Sequence, residues 1–131
     1  MDAEEFKGRT KTFALRIIRL VEALPKTRTS DVITKQLLRS ATAVGANYRA
    51  ACRARSHPDF ISKMGIVEEE TDESVYWLEL LVESGQVKKP LVENLLQEAN
   101  EILSMVIASL KTARARKQAN ALSATRPTNP K

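Results

Sequence analysis

One cysteine, one histidine and one tryptophan leave most catalytic and metal-binding chemistries without their side chains. Cys52 has no partner for a disulfide, and its place beside an apolar stripe reads as a small buried hydrophobe in a protein of the reducing cytosol. His57 stands next to Pro58 at a helix start, a position for capping or surface contact rather than catalysis. Without a second histidine, neither the paired Glu-x-x-His set of a di-iron bundle nor a His-rich zinc site can be built. A CxxC pair, a phosphate-cradling glycine loop and a nucleophile elbow are absent as well. No stretch reaches the roughly 18 apolar residues of a membrane span, and the N-terminal MDAEEFKGRTKTF is charged rather than signal-like. The expectation is a non-enzymatic cytoplasmic protein with no cofactor and no membrane partner.

At 131 residues the chain is one domain by size. Such a chain hides about two thirds of its unfolded surface and needs no disulfide or metal to fold. No internal repeat or low-complexity block divides it. Its net charge of +5 is unevenly spread. Residues 1–55 hold twelve Lys and Arg against five Asp and Glu, residues 56–110 hold three against eleven, and residues 111–131 hold six against none. An acidic third helix beside basic ones favours antiparallel packing and leaves basic surface for a polyanion.

The pattern predicts an all-α, up-and-down four-helix bundle over residues 1–112, with helices at about 3–24, 30–55, 57–84 and 90–112, then a disordered basic tail over 113–131. Phe6, Phe13, Ile17, Leu20, Val21 and Leu24 mark the first helix, which Pro25 stops. Ser30 or Thr29 is placed to cap the second. At about 100° per residue, that helix gathers Ile33, Leu37, Ala41, Val44, Tyr48 and Ala51 on one face and Lys35, Arg39, Arg49 and Arg53 nearly opposite. Gln36, Ala43, Asn47, Ala50 and Ala54 form a flank of short side chains. With Gly45, a mid-helix glycine that costs about 1 kcal/mol against alanine, Ala43, Asn47 and Ala50 suggest close approach by another helix.

Ser56 and Asp59 announce the third helix in the manner of a capping box. Phe60, Met64, Val67, Thr71, Ser74, Leu78 and Leu81 then repeat at four and three, a bundle seam, and Gly85 is placed to end the helix with positive φ. A second stripe, Ile66, Glu73, Trp77 and Leu80 with Tyr76 beside it, lies away from that seam. A bundle helix has one face to bury, so a second one points to a subunit interface. The fourth helix opens at Pro90 and shows the cleanest stripe: Val92, Leu95, Leu96, Ala99, Ile102, Leu103, Val106, Ile107 and Leu110. After Lys111 that stripe fades into TARARKQANALSATRPTNPK, read as a fraying tail.

The run LLRSATAVGANYRAACRARS, followed by DFISKMGIVEEETDESVYWLELL, resembles the small bacterial four-helix-bundle proteins first noticed in intervening sequences of 23S rRNA genes. The resemblance covers roughly residues 6–112. It rests most on Ser40, Gly45, Ala46 and Asn47, then on Asp59, Phe60, Tyr76, Trp77, Glu79 and Leu80. It implies an up-and-down bundle, a ring-shaped homopentamer and a cytosolic role tied to nucleic acid. A related member looks like the accessory protein of diversity-generating retroelements, which works beside a reverse transcriptase and RNA.

The acids Glu68, Glu69, Glu70, Asp72, Glu73 and Glu79 crowd one helix, yet most turn away from the seam. Salt bridges to neighbouring Arg and Lys are the expected use, ahead of metal binding or acid–base work; Glu73, inside the second stripe, needs a cation or hydrogen-bond donors. Two function classes remain. In the first, Lys35, Arg39, Arg49 and Arg53, with Lys111, Arg114, Arg116 and Lys117 of the tail, neutralise phosphates of RNA or DNA without reading sequence. The exposed aromatics that single-strand binders stack on bases are missing. In the second, the chain is a protein-interaction scaffold whose basic surface serves solubility.

Overall fold

Each of the first three helices begins where a short side chain accepts a free amide. The computed structural model describes residues 1–124. In α1 (Ala3–Ala23) Asp2 accepts from the Glu4 amide at 3.0 Å. In α2 (Arg28–Cys52) the cap is Thr27, whose hydroxyl accepts from the Ser30 amide at 3.0 Å. The helix therefore starts earlier than expected, and Ser30 is buried in its first turn rather than capping it.

In α3 (His57–Glu83) Ser56 accepts from the Asp59 amide at 3.2 Å, while an Asp59 carboxylate oxygen accepts from the Arg55 amide, also at 3.2 Å. The shorter acid thus reaches the amide just outside the cap. Gly85 closes the helix at φ 79. The Gln86 amide bonds to the Leu81 carbonyl and the Gly85 amide to that of Val82, and Val87 is buried beyond the turn. This is the paired-bond helix ending that a left-handed glycine permits. Next, α4 (Lys89–Ala124) carries Pro90 in its first turn.

Helices adjacent in sequence are adjacent in space: α2 packs most extensively on α3, α3 on α4 and α1 on α2, while α1 touches α4 only lightly. The bundle is up-and-down with one thinly closed side. Its core is the expected set, with Ile33, Leu37, Ala41, Val44, Tyr48 and Ala51 of α2 facing Met64, Val67, Leu78 and Leu81 of α3. Phe6 meets Tyr48 edge-on at 4.6 Å between ring centroids. Thr71 and Ser74 sit in the seam because their hydroxyls bond to the carbonyls of Val67 and Glu70 at 2.7 and 2.8 Å. Ser74 also lies 3.0 Å from the Ser40 hydroxyl, so two small polar residues let α2 and α3 approach without an unsatisfied group.

Three further expectations differ. Cys52 is exposed, not buried, since it occupies the last turn of α2 where the chain leaves for α3. Ile107 is exposed too, although it continues the α4 stripe. And α4 does not end near 112: it runs unbroken to Ala124, 36 residues or about 54 Å long. The segment past Ala113 is rich in Ala, Arg, Lys and Gln and holds no Gly or Pro before residue 127, so helix propensity outlasts the apolar stripe. The remainder of the expected tail lies outside the described residues.

Candidate nucleic-acid interface

Cations collect at one end of the bundle because antiparallel packing brings the close of α2, the start of α3 and the far part of α4 together. His57 fixes that register: its Nε2 lies 2.7 Å from the Ala113 carbonyl, which can only accept, so the ring nitrogen carries the hydrogen. Arg53 and Arg55 leave α2 there, and Arg114, Arg116 and Lys117 project from exposed turns of α4. A cleft of about 1010 Å³ opens at this end, lined among others by Tyr48, Cys52, His57, Phe60, Met105 and Arg116.

The outer face of α2 continues from this end through Arg49 to Lys35. Lys35, Arg49, Arg53, Lys111, Arg114, Arg116 and Lys117 are all exposed, and none forms an ion pair among the described residues. Arg39 is different. Its guanidinium pairs with Glu70 at 3.2 Å and closely with Glu73, whose carboxylate also accepts from the Trp77 indole at 3.1 Å. The Arg39 guanidinium, helped by the indole N–H, holds the Glu73 carboxyl below its ordinary value. This is the cation and donor that a carboxylate in the second α3 stripe requires, and it removes Arg39 from the free set. Lys63 likewise holds Asp59 below the usual carboxylate range, with the Arg55 amide adding to it.

The remaining predicted positions divide. Ile66 and Tyr76 are exposed, whereas Trp77 and Leu80 are half-buried and pack against the core from its edge. Tyr76 meets Trp77 edge-on at 5.0 Å. Gly45 faces α1: a Cβ there would stand 3.1 Å from the Thr10 hydroxyl. Ala43, Asn47 and Ala50 are half-buried about 160° away on the wheel, the flank from which Arg39 reaches α3, so the short residues serve two sides of α2 rather than one.

Sequence reasoning missed the bidentate pair of Arg9 with Glu98, at 2.9 and 2.7 Å, and the Arg9 approach to Glu101 at 3.4 Å. Together they tie α1 to α4. Arg9 stands one position before the buried Thr10, and nothing in its local pattern names a partner 89 residues away. Among the described residues no group of three His, Cys, Asp or Glu is placed to hold a metal ion, and no helix is long and apolar enough to cross a membrane.

These features define a small all-helical bundle with a basic face and a basic end. Residues 5–108 match the family described as the 23S rRNA-intervening sequence protein, and the chain belongs to that family. A solved structure from Bacteroides thetaiotaomicron, described as a protein of unknown function from the S23 ribosomal protein family, is 36% identical with a TM-score of 0.78, over 85% of this chain and 99% of that one. No curated protein matches. Neither description names a reaction.

Proposed function

We propose that this chain is a non-catalytic cytosolic protein that assembles into a ring, a homopentamer by the family resemblance, and binds RNA or DNA through basic surface without sequence readout. The observation that carries this reading is a set of exposed cations with no acid partner among the described residues: Lys35, Arg49 and Arg53 at and beyond the outer face of α2, and Arg114, Arg116 and Lys117 on the far part of α4. Unpaired cations bind phosphates by releasing condensed counterions, which makes affinity fall steeply with salt. Arg39 contributes less, because a phosphate would have to displace two carboxylates. Repetition around a ring multiplies the effect, since one long polyanion touches several subunits.

The test is a salt series of fluorescence anisotropy on a generic RNA and the matching DNA. Changing Lys35, Arg49 and Arg53 to Gln is expected to remove most affinity and flatten the log–log salt slope by about 0.7 to 0.9 for each phosphate no longer neutralised. Arg39→Gln should leave the slope nearly unchanged, and ending the chain after Ala113 should weaken binding in part. No wild-type binding at about 50 mM salt, or an unchanged slope in the triple variant, overturns the reading. In that event the open cleft at the same end favours a protein-docking scaffold instead.

A further inference from the structure

The far part of α4 leaves the bundle. Residues 114–124 are exposed at every position, so about 16 Å of helix stands clear of the core. Its pattern is not that of a fraying end. Val106, Leu110 and Ala113 mark the side of α4 that faces the core, and the same four-three spacing puts Lys117 and Asn120 next on that side. Arg114 and Arg116 flank them, within about 100° to either side, and Ala115, Ala119 and Leu122 fill the opposite arc. Leu122 is the one large apolar residue of the stretch, too little to anchor the helix in a protein groove or on a lipid surface.

Charge on the overhang is of one sign. No Asp or Glu follows Glu101 in the chain, and Arg114, Arg116 and Lys117 form no ion pair among the described residues. The acids at this end of the bundle are used elsewhere or stand apart: Asp2 accepts from the Glu4 amide, Glu4 pairs with Lys7 and Asp59 with Lys63, and Glu5 pairs with none of the overhang cations. We propose that the overhang lies in the major groove of a B-form DNA duplex, with Arg114, Arg116 and Lys117 on the phosphates of the groove walls. A helix is about 10 to 12 Å across with its side chains, and slimmer where they are alanines; the B-form major groove is about 12 Å wide. The major groove of A-form RNA is too deep and narrow for the same entry. A single strand asks for exposed aromatic rings to stack on, and residues 114–124 hold none. This inference rests on the nucleic-acid reading proposed above and names the form of ligand that one end of the molecule takes.

Anisotropy titrations at one salt concentration, against a DNA duplex, an RNA duplex of the same sequence and the single DNA strand, test it. The wild type is expected to hold the DNA duplex at least about tenfold more tightly than either of the others. Ala119→Pro breaks the overhang helix while keeping every cation and every buried residue, so it should bring the three affinities within about threefold of one another. Arg114→Gln/Arg116→Gln/Lys117→Gln keeps the helix and should weaken the DNA duplex more than the other two ligands. Thermal melting followed by circular dichroism checks that the bundle of each variant is intact. A wild type that binds none of the three overturns the nucleic-acid reading itself. Equal affinity for the two duplexes, a tighter hold on the single strand, or a preference for duplex DNA that survives Ala119→Pro overturns groove insertion and leaves the overhang as a source of charge alone.

Discussion

Trp77 reports on its own surroundings, because it is the chain's single tryptophan and its indole N–H bonds to the Glu73 carboxylate that also holds Arg39. A carboxyl whose folded value is depressed adds stability that is fully present above its unfolded value and is lost as pH falls through the folded one. Glu73 is depressed from 4.5 chiefly by Arg39, so this link between α2 and α3 should weaken only below that range. The expected outcome is an acid shift in Trp77 emission that begins before helical circular dichroism falls and disappears in Glu73→Gln. An emission change that coincides with global unfolding in both proteins counts against it. The need of Glu73 for a cation was legible from its place in an apolar stripe. The identity of that cation was not, because Arg39 is 34 residues away and reaches it only through the register of two packed helices.

For helices, existence and buried face were legible wherever periodicity was strong. Met64, Val67, Leu78 and Leu81 lie where the three-four repeat puts them, because burying one apolar stripe per helix does most to hold a bundle together. Ends were less legible. The apolar stripe of α4 fades at Leu110 and Ala113, and from the sequence alone a fading stripe predicts the end of the helix. These are separate properties: a stripe records what a helix buries, while propensity records whether the backbone stays helical past its last buried residue. Cys52 failed for the converse reason. Its angle on the wheel is near the stripe, yet α2 ends there and no neighbour covers it. The projecting part of α4 carries no buried residue after Ala113, so a chain ending there should lose helical signal yet keep its stability within about 0.5 kcal/mol of wild type. A larger loss measured in urea would mean that the overhang packs on something.

Across the whole molecule, the uneven distribution of charge along the chain becomes a distribution in space: basic α2 outside, acidic α3 beside it, and a basic end to which the close of α2 and the far part of α4 both contribute. The class of fold was legible because four periodic segments joined by short connectors admit few arrangements. The thin side between α1 and α4 was not, since it depends on how four differently sized stripes close around one core. That side sets an order of release. With α1 fastened on one flank by α2 and on the other chiefly by Arg9 to Glu98 and Glu101, its detachment costs less than global unfolding, and the remaining three helices stay packed on one another. Native-state hydrogen exchange should therefore find the amides of α1 opening below the global free energy, with those of α2 and α3 slowest. Arg9→Ala should lower the α1 opening energy by about 1 kcal/mol, the pair being half-exposed, and leave the α2–α3 amides nearly unmoved. Uniform protection across all four helices would show a single cooperative unit. Otherwise α1 behaves as a hinged cover, a low-stability leaf on a three-helix body, whose opening bares Phe6, Tyr48 and the apolar wall behind them.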